Sequence, residues 1–360
     1  MLSDNEVAMS DEFRELLKKI ASGTHTSKHL ARAEAAKATT MMLNQTATPA
    51  QIGAFMISHR IKRPTPEELA GMLDAYNSLG QKLSTENLAF AHTPMVFGIP
   101  YDGRSRTVPV NPITTLVLAA AGAPIILHGG DCMPTKYGLP LVTLWQELGV
   151  DFSRFSLNQA QQFLEKTGVG FVYQKRHFSE AYELVPYRQQ IGKRPTFSTL
   201  ELIWSPVVGD ANLVAGFVHP PTEERFFKTF KLVGIDNFAT VKGLEGSCDL
   251  SCNRTAIAGS VKSGKIFERI LVHPEDYQLN GSDLTLESTS SAIEVIKNVI
   301  KGKNNALTSA AILNGGFYLW LNQICPTIEV GLDMAREMLT KGAIRDKLNQ
   351  LKKTASDLYL

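Results

Sequence analysis

From Pro94 onward the chain repeats a pattern that few architectures accommodate. Short apolar runs bounded by glycine, each followed by a helical stretch, succeed one another as MVFG, LVLAAAG, PIILHGG, PLVTLWQELG and VGFVYQ. Such alternation argues for an α/β domain with a largely parallel sheet. A basic segment, Lys175 to Arg194, interrupts the rhythm with helix-like HFSEAYELVPYRQQIG. The rhythm returns as LVAGFV, FATVKG and RILVHP, separated by helices such as PPTEERFFKTFKLVG, and residues 306–353 read as helical again.

The first ninety residues carry helix signals and almost no strand signals. Thr48-Pro49 before AQIGAFMISHR sets a capping hydroxyl ahead of a proline at the first helical position, with Ile52, Phe55 and Met56 on one stripe. Thr65-Pro66-Glu67-Glu68 repeats the device and adds the carboxylate that completes a capping box. At 360 residues the chain has room for two or three domains with a real core. With no internal repeat, low-complexity tract or long linker, two interleaved domains fit better than beads on a string.

Charge names no partner, because 37 basic against 35 acidic residues leave a net +2. The longest apolar stretch, Leu116 to Leu127, is broken by Gly122 and Pro124 and is too short to span a bilayer. The N-terminal MLSDNEVAMSDEFRELLKKI has acids before any base and no apolar core, which reads as neither signal nor transit peptide, so a cytoplasmic location is expected. Cys132, Cys248, Cys252 and Cys325 fit buried thiols of a reducing compartment better than a disulfide framework. Cys248-x3-Cys252 has no second Cys or His pair near it, so a zinc site is not expected.

Several stretches in fixed order carry a resemblance: ATPAQIGAFMISHRIKRPTPEELAGM, LAAAGAPIILHGG with LWQELGV, VHPEDYQL, and AAILNGGFYLWLNQICPTIEVGLDMAREMLTKGA. The chain resembles the anthranilate phosphoribosyltransferase family, within the wider group that includes pyrimidine nucleoside phosphorylases, over nearly its whole length. The resemblance implies a separate helical domain beside an α/β domain with a central, mostly parallel sheet. On that pattern residues 1–90 plus 175–206 form the helical body and residues 91–174 plus 207–360 the α/β body, with the active cleft between them. It also implies homodimerisation through the helical body. The family transfers ribose 5-phosphate from phosphoribosyl pyrophosphate to the amine of anthranilate, which calls for phosphate cradles, Mg2+ ligands and an electropositive acceptor site.

Each implied part is altered here. The family's Gly-Thr-Gly-Gly-Asp-Gly loop and following strand-to-helix turn correspond to residues 98–112, where Gly98, Asp102, Gly103 and Thr107 match. Two glycines have become Pro100 and Tyr101, and Pro109 and Pro112 stand in the turn; proline donates no N–H, so the usual cradle cannot form unchanged. Arg104 and Arg106 enter the same loop and suit bidentate phosphate recognition, the bland alternative being a solvated turn with two surface arginines. A Lys-His-Gly-Asn-Arg loop reads Leu127-His128-Gly129-Gly130-Asp131, both cations lost, with Thr135 and Lys136 downstream as replacements for a hydroxyl and a charge. A lone histidine after a strand is more often a satisfied structural residue than a catalyst, and His128 is the lesser candidate of this loop.

The acidic pair that holds Mg2+ in the family falls on Cys248 and Asp249, with Glu245 as a replacement carboxylate; both acids read equally as solvated loop residues. On the acceptor side His177 opens the family's His-Pro-Ala segment, and Arg188 takes the position that faces the anthranilate carboxylate. The signature after it is replaced by Phe197-Ser198-Thr199-Leu200-Glu201-Leu202-Ile203-Trp204-Ser205-Pro206, so a different acceptor is expected. Two functions follow. One is pentosyl transfer from a phosphosugar to an unidentified acceptor, with ordinary anthranilate activity weak or absent. The other is a non-catalytic branch whose Lys175, Arg176, Arg188, Lys193 and Arg194 bind nucleic acid.

Overall fold

The computed structural model describes residues 4–359 apart from 24, 87 and 265, with side chains from residue 11. Four helices open the chain: α1 (Asp4–Ala21), α2 (Arg32–Leu43), α3 (Pro49–Lys62) and α4 (Pro66–Leu79). Thr48 accepts from the Gln51 N–H while Gln51 Oε1 accepts from the Thr48 N–H, and Thr65 with Glu68 repeats this reciprocal cap. Both starts are therefore set by local chemistry. Ile52, Phe55 and Met56 turn into the core as their spacing predicts.

Through β1 (Leu83–Ser84) the chain enters the second layer, with β2 (Met95–Gly98), α5 (Asn111–Ala120), β3 (Ile125–Gly129), α6 (Leu141–Glu147), α7 (Leu157–Thr167) and β4 (Val169–Tyr173). Of the five apolar runs, MVFG, PIILHGG and VGFVYQ supply strands, LVLAAAG closes α5, and PLVTLWQELG carries α6. A return through α8 (Gln174–His177), α9 (Ser179–Tyr182), α10 (Val185–Ile191) and α11 (Phe197–Leu200) leads by β5 (Val207–Val208) to β6 (Asn212–Gly216). There follow α12 (Pro220–Val233), β7 (Phe238–Val241), β8 (Ala256–Val261) and β9 (Glu268–Val272). The chain ends in α13 (Thr289–Ile300), α14 (Thr308–Leu321), α15 (Ile328–Thr340) and α16 (Ala343–Tyr359).

The main sheet has the order β4-β3-β2-β6-β7-β8-β9. Pairing is parallel from β4 to β7, with Val96 between Ile126 and Leu213, so the fold is an α/β layer beside a helical one, as expected. The expected helix between FATVKG and RILVHP is not there: β8 takes its place, and β7, β8 and β9 form an antiparallel edge. Antiparallel neighbours need only a turn between them, which is why no helix is required. Three cysteines are buried as anticipated, but Cys132 stands exposed.

The two layers meet along one seam. β1 and β5 pair as a two-residue parallel ribbon, Leu83 with Val207 and Ser84 with Val208, so both crossings between the layers run side by side. The return segment packs on α4: Tyr76 lies 4.9 Å from Phe178, 5.7 Å from Trp204 and 6.1 Å from Phe197, ring centre to ring centre. At the end of β2, Gly98 abuts this segment so closely that a Cβ would run into the Leu202 carbonyl. Neither strand nor return segment can give way without disturbing the sheet. Gly98→Ala is accordingly expected to cost about 2–3 kcal/mol of stability, read as a lowered urea midpoint. An unchanged midpoint would mean the seam is soft.

Candidate functional site

The centre of the sheet is a topological switch point, since β3 and β4 extend one way from β2 while β6 and β7 extend the other. Crevices of this kind lie beyond the carboxyl ends of the strands. Here the loop after β2 meets the loop after β3. Gly103, at φ 75°, has Leu139 O only 2.6 Å from where a Cβ would sit. Arg104 N–H donates to Leu139 O at 3.1 Å, and Leu139 N–H to Arg104 O at 2.6 Å. This clasp brings in Lys136, whose Nζ donates to Gly103 O at 2.7 Å. From the far side the segment after β7 contributes Glu245, Ser247 and Asp249.

Glu245 occupies the hollow of the β2 loop. Its carboxylate accepts the backbone N–H groups of Ser105 (3.1 Å), Arg106 (3.0 Å) and Thr107 (3.0 Å), and the hydroxyls of Ser105 and Thr107 at 3.2 and 3.0 Å. Lys136 Nζ lies 2.6 Å from it, Arg104 Nε 3.3 Å, and the exposed Arg106 3.9 Å. Three successive N–H groups aimed at one point form a nest for an anion, and the anion in it is the chain's own. Burial pushes the Glu245 carboxyl up, but Lys136, the Ser105 N–H and Arg104 outweigh it and hold the group well below the usual carboxylate range. Lys136 is itself pulled down by its burial, against the opposing attraction of Glu245. Glu245 itself sits at φ 55°, a left-handed conformation uncommon outside glycine, which these bonds sustain.

Asp249 is the second internal anion. Its Oδ2 receives Arg104 Nη1 at 2.7 Å and the Val110 N–H at 3.1 Å, and so caps the start of α5, where Val110 has no side-chain cap of its own. Arg104, 4 % exposed, also donates to Ser247 Oγ at 2.8 Å and to Thr107 Oγ1. A magnesium ion requires oxygens free to turn toward it. Glu245 and Asp249 instead share the Arg104 guanidinium, and the Cys248 thiol, pushed up by burial, donates to the carbonyls of Gly98 and Val214. The residues present do not fit the metal, and among the described residues no group of three or more His, Cys, Asp or Glu gathers as a metal site.

The acceptor-side candidates are also engaged. Arg188 is fully buried; Nη1 lies 3.3 Å from Glu201 Oε2 and 3.4 Å from Ser198 Oγ, while Nη2 pairs with Glu201 Oε1. Burial works against the Arg188 charge but Glu201 restores it, whereas the Glu201 carboxyl is pushed up by burial against the pull of Arg188. His177 accepts the Tyr173 N–H at Nδ1 (3.1 Å) and donates from Nε2 to Phe155 O (2.9 Å), a structural neutral ring. His128, pushed down to about 3 by burial, pairs with the Tyr101 hydroxyl across 2.5 Å and packs on Trp204. Asp102 pairs with Arg194 at 3.2 Å. Gly129 ends β3 with room for a Cβ, and Thr135 is half-buried beside Lys136. Gly98, Asp102, Gly103, Arg104, Arg106, Thr107, Lys136, Glu245 and Asp249 thus share one neighbourhood, while His177 sits apart from it. Glu201 was no candidate by sequence, although a single carboxylate in the apolar run TLELIW is itself a signal of a buried cation.

The chain, with its helical layer beside an α/β layer, belongs to the glycosyl transferase family. Residues 14–80 match the glycosyl transferase family helical bundle domain and residues 102–345 the family's a/b domain. Similar proteins include the anthranilate phosphoribosyltransferase of Albidiferax ferrireducens, 27% identical over 307 residues, covering 84% of this chain and 85% of that one. That of Acetivibrio thermocellus is 25% identical over 338 residues, covering 93% and 95%. Among solved structures, anthranilate phosphoribosyltransferase from Saccharomyces cerevisiae in complex with PRPP and Mg superposes with a TM-score of 0.80 at 15% identity over 97% of this chain and 99% of that one. The Thermus thermophilus enzyme gives 0.76 at 18% identity over 96% and 99%.

Two outcomes test this charge arrangement. Glu201→Ala strands the Arg188 guanidinium and is expected to cost about 3–5 kcal/mol in urea unfolding, most of it recovered in the double variant Arg188→Met with Glu201→Leu. Glu245, depressed in the folded state, stabilises fully above its unfolded value of about 4.3 and progressively less as pH falls toward the folded value. The stability deficit of Glu245→Gln, measured from pH 7 down to pH 3, should therefore narrow on acidification. A constant deficit would contradict the ionised nest.

Proposed function

We propose that the chain is a divergent phosphoribosyltransferase-like protein in which ordinary transfer to anthranilate is weak or absent. Any surviving pentosyl transfer from phosphoribosyl pyrophosphate or a related phosphosugar goes to another acceptor. The observation that carries this reading is Glu245 in the N–H nest of residues 105–107, where a phosphate would need to lie. Glu201 on Arg188 supports it on the acceptor side. An external anion must displace a tethered one at each place. In this reading Gly98, Asp102, Gly103, Arg104, Arg106, Thr107, His128, Gly129, Thr135 and Lys136 frame the donor side, His177 and Arg188 the acceptor side, and Mg2+ has no role. Residues 1–90 with 175–206 form the helical body, through which a homodimer assembles; that part rests on the family resemblance.

Nucleic acid is the second reading. Of its five cations, Arg188 is buried, Lys175 pairs with Asp131, and Arg176 donates to the Ser153 and Arg154 carbonyls. Exposed Lys193 and half-exposed Arg194 support it most directly.

With phosphoribosyl pyrophosphate, anthranilate and magnesium, turnover is expected at least about a thousandfold below that of an ordinary member of the family. Calorimetry should show Glu245→Ala binding phosphoribosyl pyrophosphate at least about tenfold tighter than the parent chain, since it empties the nest. Family-like turnover by the parent would overturn the reading. Steeply salt-dependent affinity for single-stranded DNA, lost in Lys193→Ala with Arg194→Ala, would favour the alternative.

A further inference from the structure

A cavity of about 510 Å³ opens between the turn joining α3 to α4, residues 194–199 and the start of α12. Arg60, Arg63, Arg194, Arg225 and His219 line it, and no carboxylate does. It lies beyond the carboxyl end of β6, on the switch-point side of the sheet, and its size is that of a small-molecule site.

Of the four arginines only Arg194 has a carboxylate partner among the described residues. Arg60 Nη1 donates to the Arg194 carbonyl, and Arg194 Nε lies 3.2 Å from Asp102 Oδ2. Among the described residues neither Arg63 nor Arg225 has a carboxylate within ion-pair distance. Burial and the charge of Arg63 both pull the Arg225 guanidinium down, against a smaller opposing effect of Glu224. Two like charges thus face one space unpaired. Arg63 is at φ 63°, a left-handed conformation for a residue that precedes proline. Thr196, 6 % exposed, also lines the cavity, and its hydroxyl has no hydrogen-bond partner. The helix start contributes little: Pro220 and Pro221 have no N–H, and the Thr222 N–H donates to His219 O at 2.8 Å.

We infer that this cavity binds a compact polyanion of the phosphate class, carrying at least two linked phosphates, with pyrophosphate the simplest example. Guanidinium forks match phosphate oxygens bidentately, and the three without an ion pair, Arg60, Arg63 and Arg225, call for more charge than one carboxylate supplies. The inference goes beyond the function proposed above, because it uses none of Arg104, Lys136, Glu201 or Glu245.

Inorganic pyrophosphate titrated into the full chain, by calorimetry and thermal shift, tests it. The parent should bind at submillimolar concentration and gain thermal stability, and orthophosphate should bind at least about tenfold more weakly. Arg63→Gln with Arg225→Gln should lose at least about tenfold in pyrophosphate affinity while its ligand-free Tm stays equal or rises, because the repulsion is removed. Lys136→Ala, which alters only the β2-loop site, should change the affinity less than about twofold. No binding at millimolar pyrophosphate, or equal binding by the double variant, would overturn the inference. So would loss of binding in Lys136→Ala, which would place the anion at the β2 loop, and so would dependence on Arg63 and Arg225 seen with single-stranded DNA alone.

Discussion

Arg104 carries its charge almost wholly out of reach of water, and arginine cannot escape by giving up a proton. Carboxylates must therefore come to it. Asp249 and Glu245 do so from a segment some 140 residues away, drawing the chain after β7 across the end of β2. Asp249 then caps α5, Glu245 orders the loop before it, and Lys136, brought by the clasp of residues 103–104 on 138–139, completes two cations against two anions. A loop rich in residues that break regular structure is thereby fixed at both ends. The same charges that order it leave the N–H groups of residues 105–107 already occupied.

The seam between the layers repeats the solution with different residues. Arg188 and Glu201 neutralise one another among Tyr76, Trp204 and Phe197, and Gly98 lets the 197–204 segment lie directly on β2. Buried polar atoms without a protein partner collect along this line, among them Tyr76 Oη, His128 Nε2, Trp204 Nε1 and Arg188 Nε. Each is costly in a dry interior. The seam is thus well packed by aromatic rings and poorly satisfied by hydrogen bonds.

Local signals were legible in the sequence wherever the controlling interaction is local. The caps at Thr48 and Thr65 and the glycine-bounded runs that became β2, β3 and β4 are such cases. β8 was missed because AIAGSV is poor in branched and aromatic residues; Gly259 within it is set against the Phe267 ring by tertiary packing that spacing cannot show. In the site, the sequence indicated which residues would gather at the β2 loop but not what they would face. Arg188 was assigned a carboxylate partner, which is the chemistry observed, yet the carboxylate belongs to Glu201. Glu245 gives no sign in its own neighbourhood of the three N–H groups awaiting it, since they lie in another loop.

The tether decides how these sites behave. A free phosphate and the Glu245 carboxylate compete for the same donors, and charge-assisted hydrogen bonds are worth about 1.5–3 kcal/mol to either. The carboxylate has already met most of its ordering cost through the fold, whereas the phosphate gives up free motion on binding. Equal contacts therefore favour the tethered group by the full difference in entropy. A ligand can win only by making contacts that Glu245 cannot, or by altering the backbone at residue 245. No carboxylate lines the arginine cavity, and among the described residues Arg63 and Arg225 have no ion-pair partner, so an arriving anion gains its contacts to them without first displacing one. Within a single scaffold, the placement of two glutamates moves the most accessible anion-binding surface away from the β2 loop and toward the start of α12.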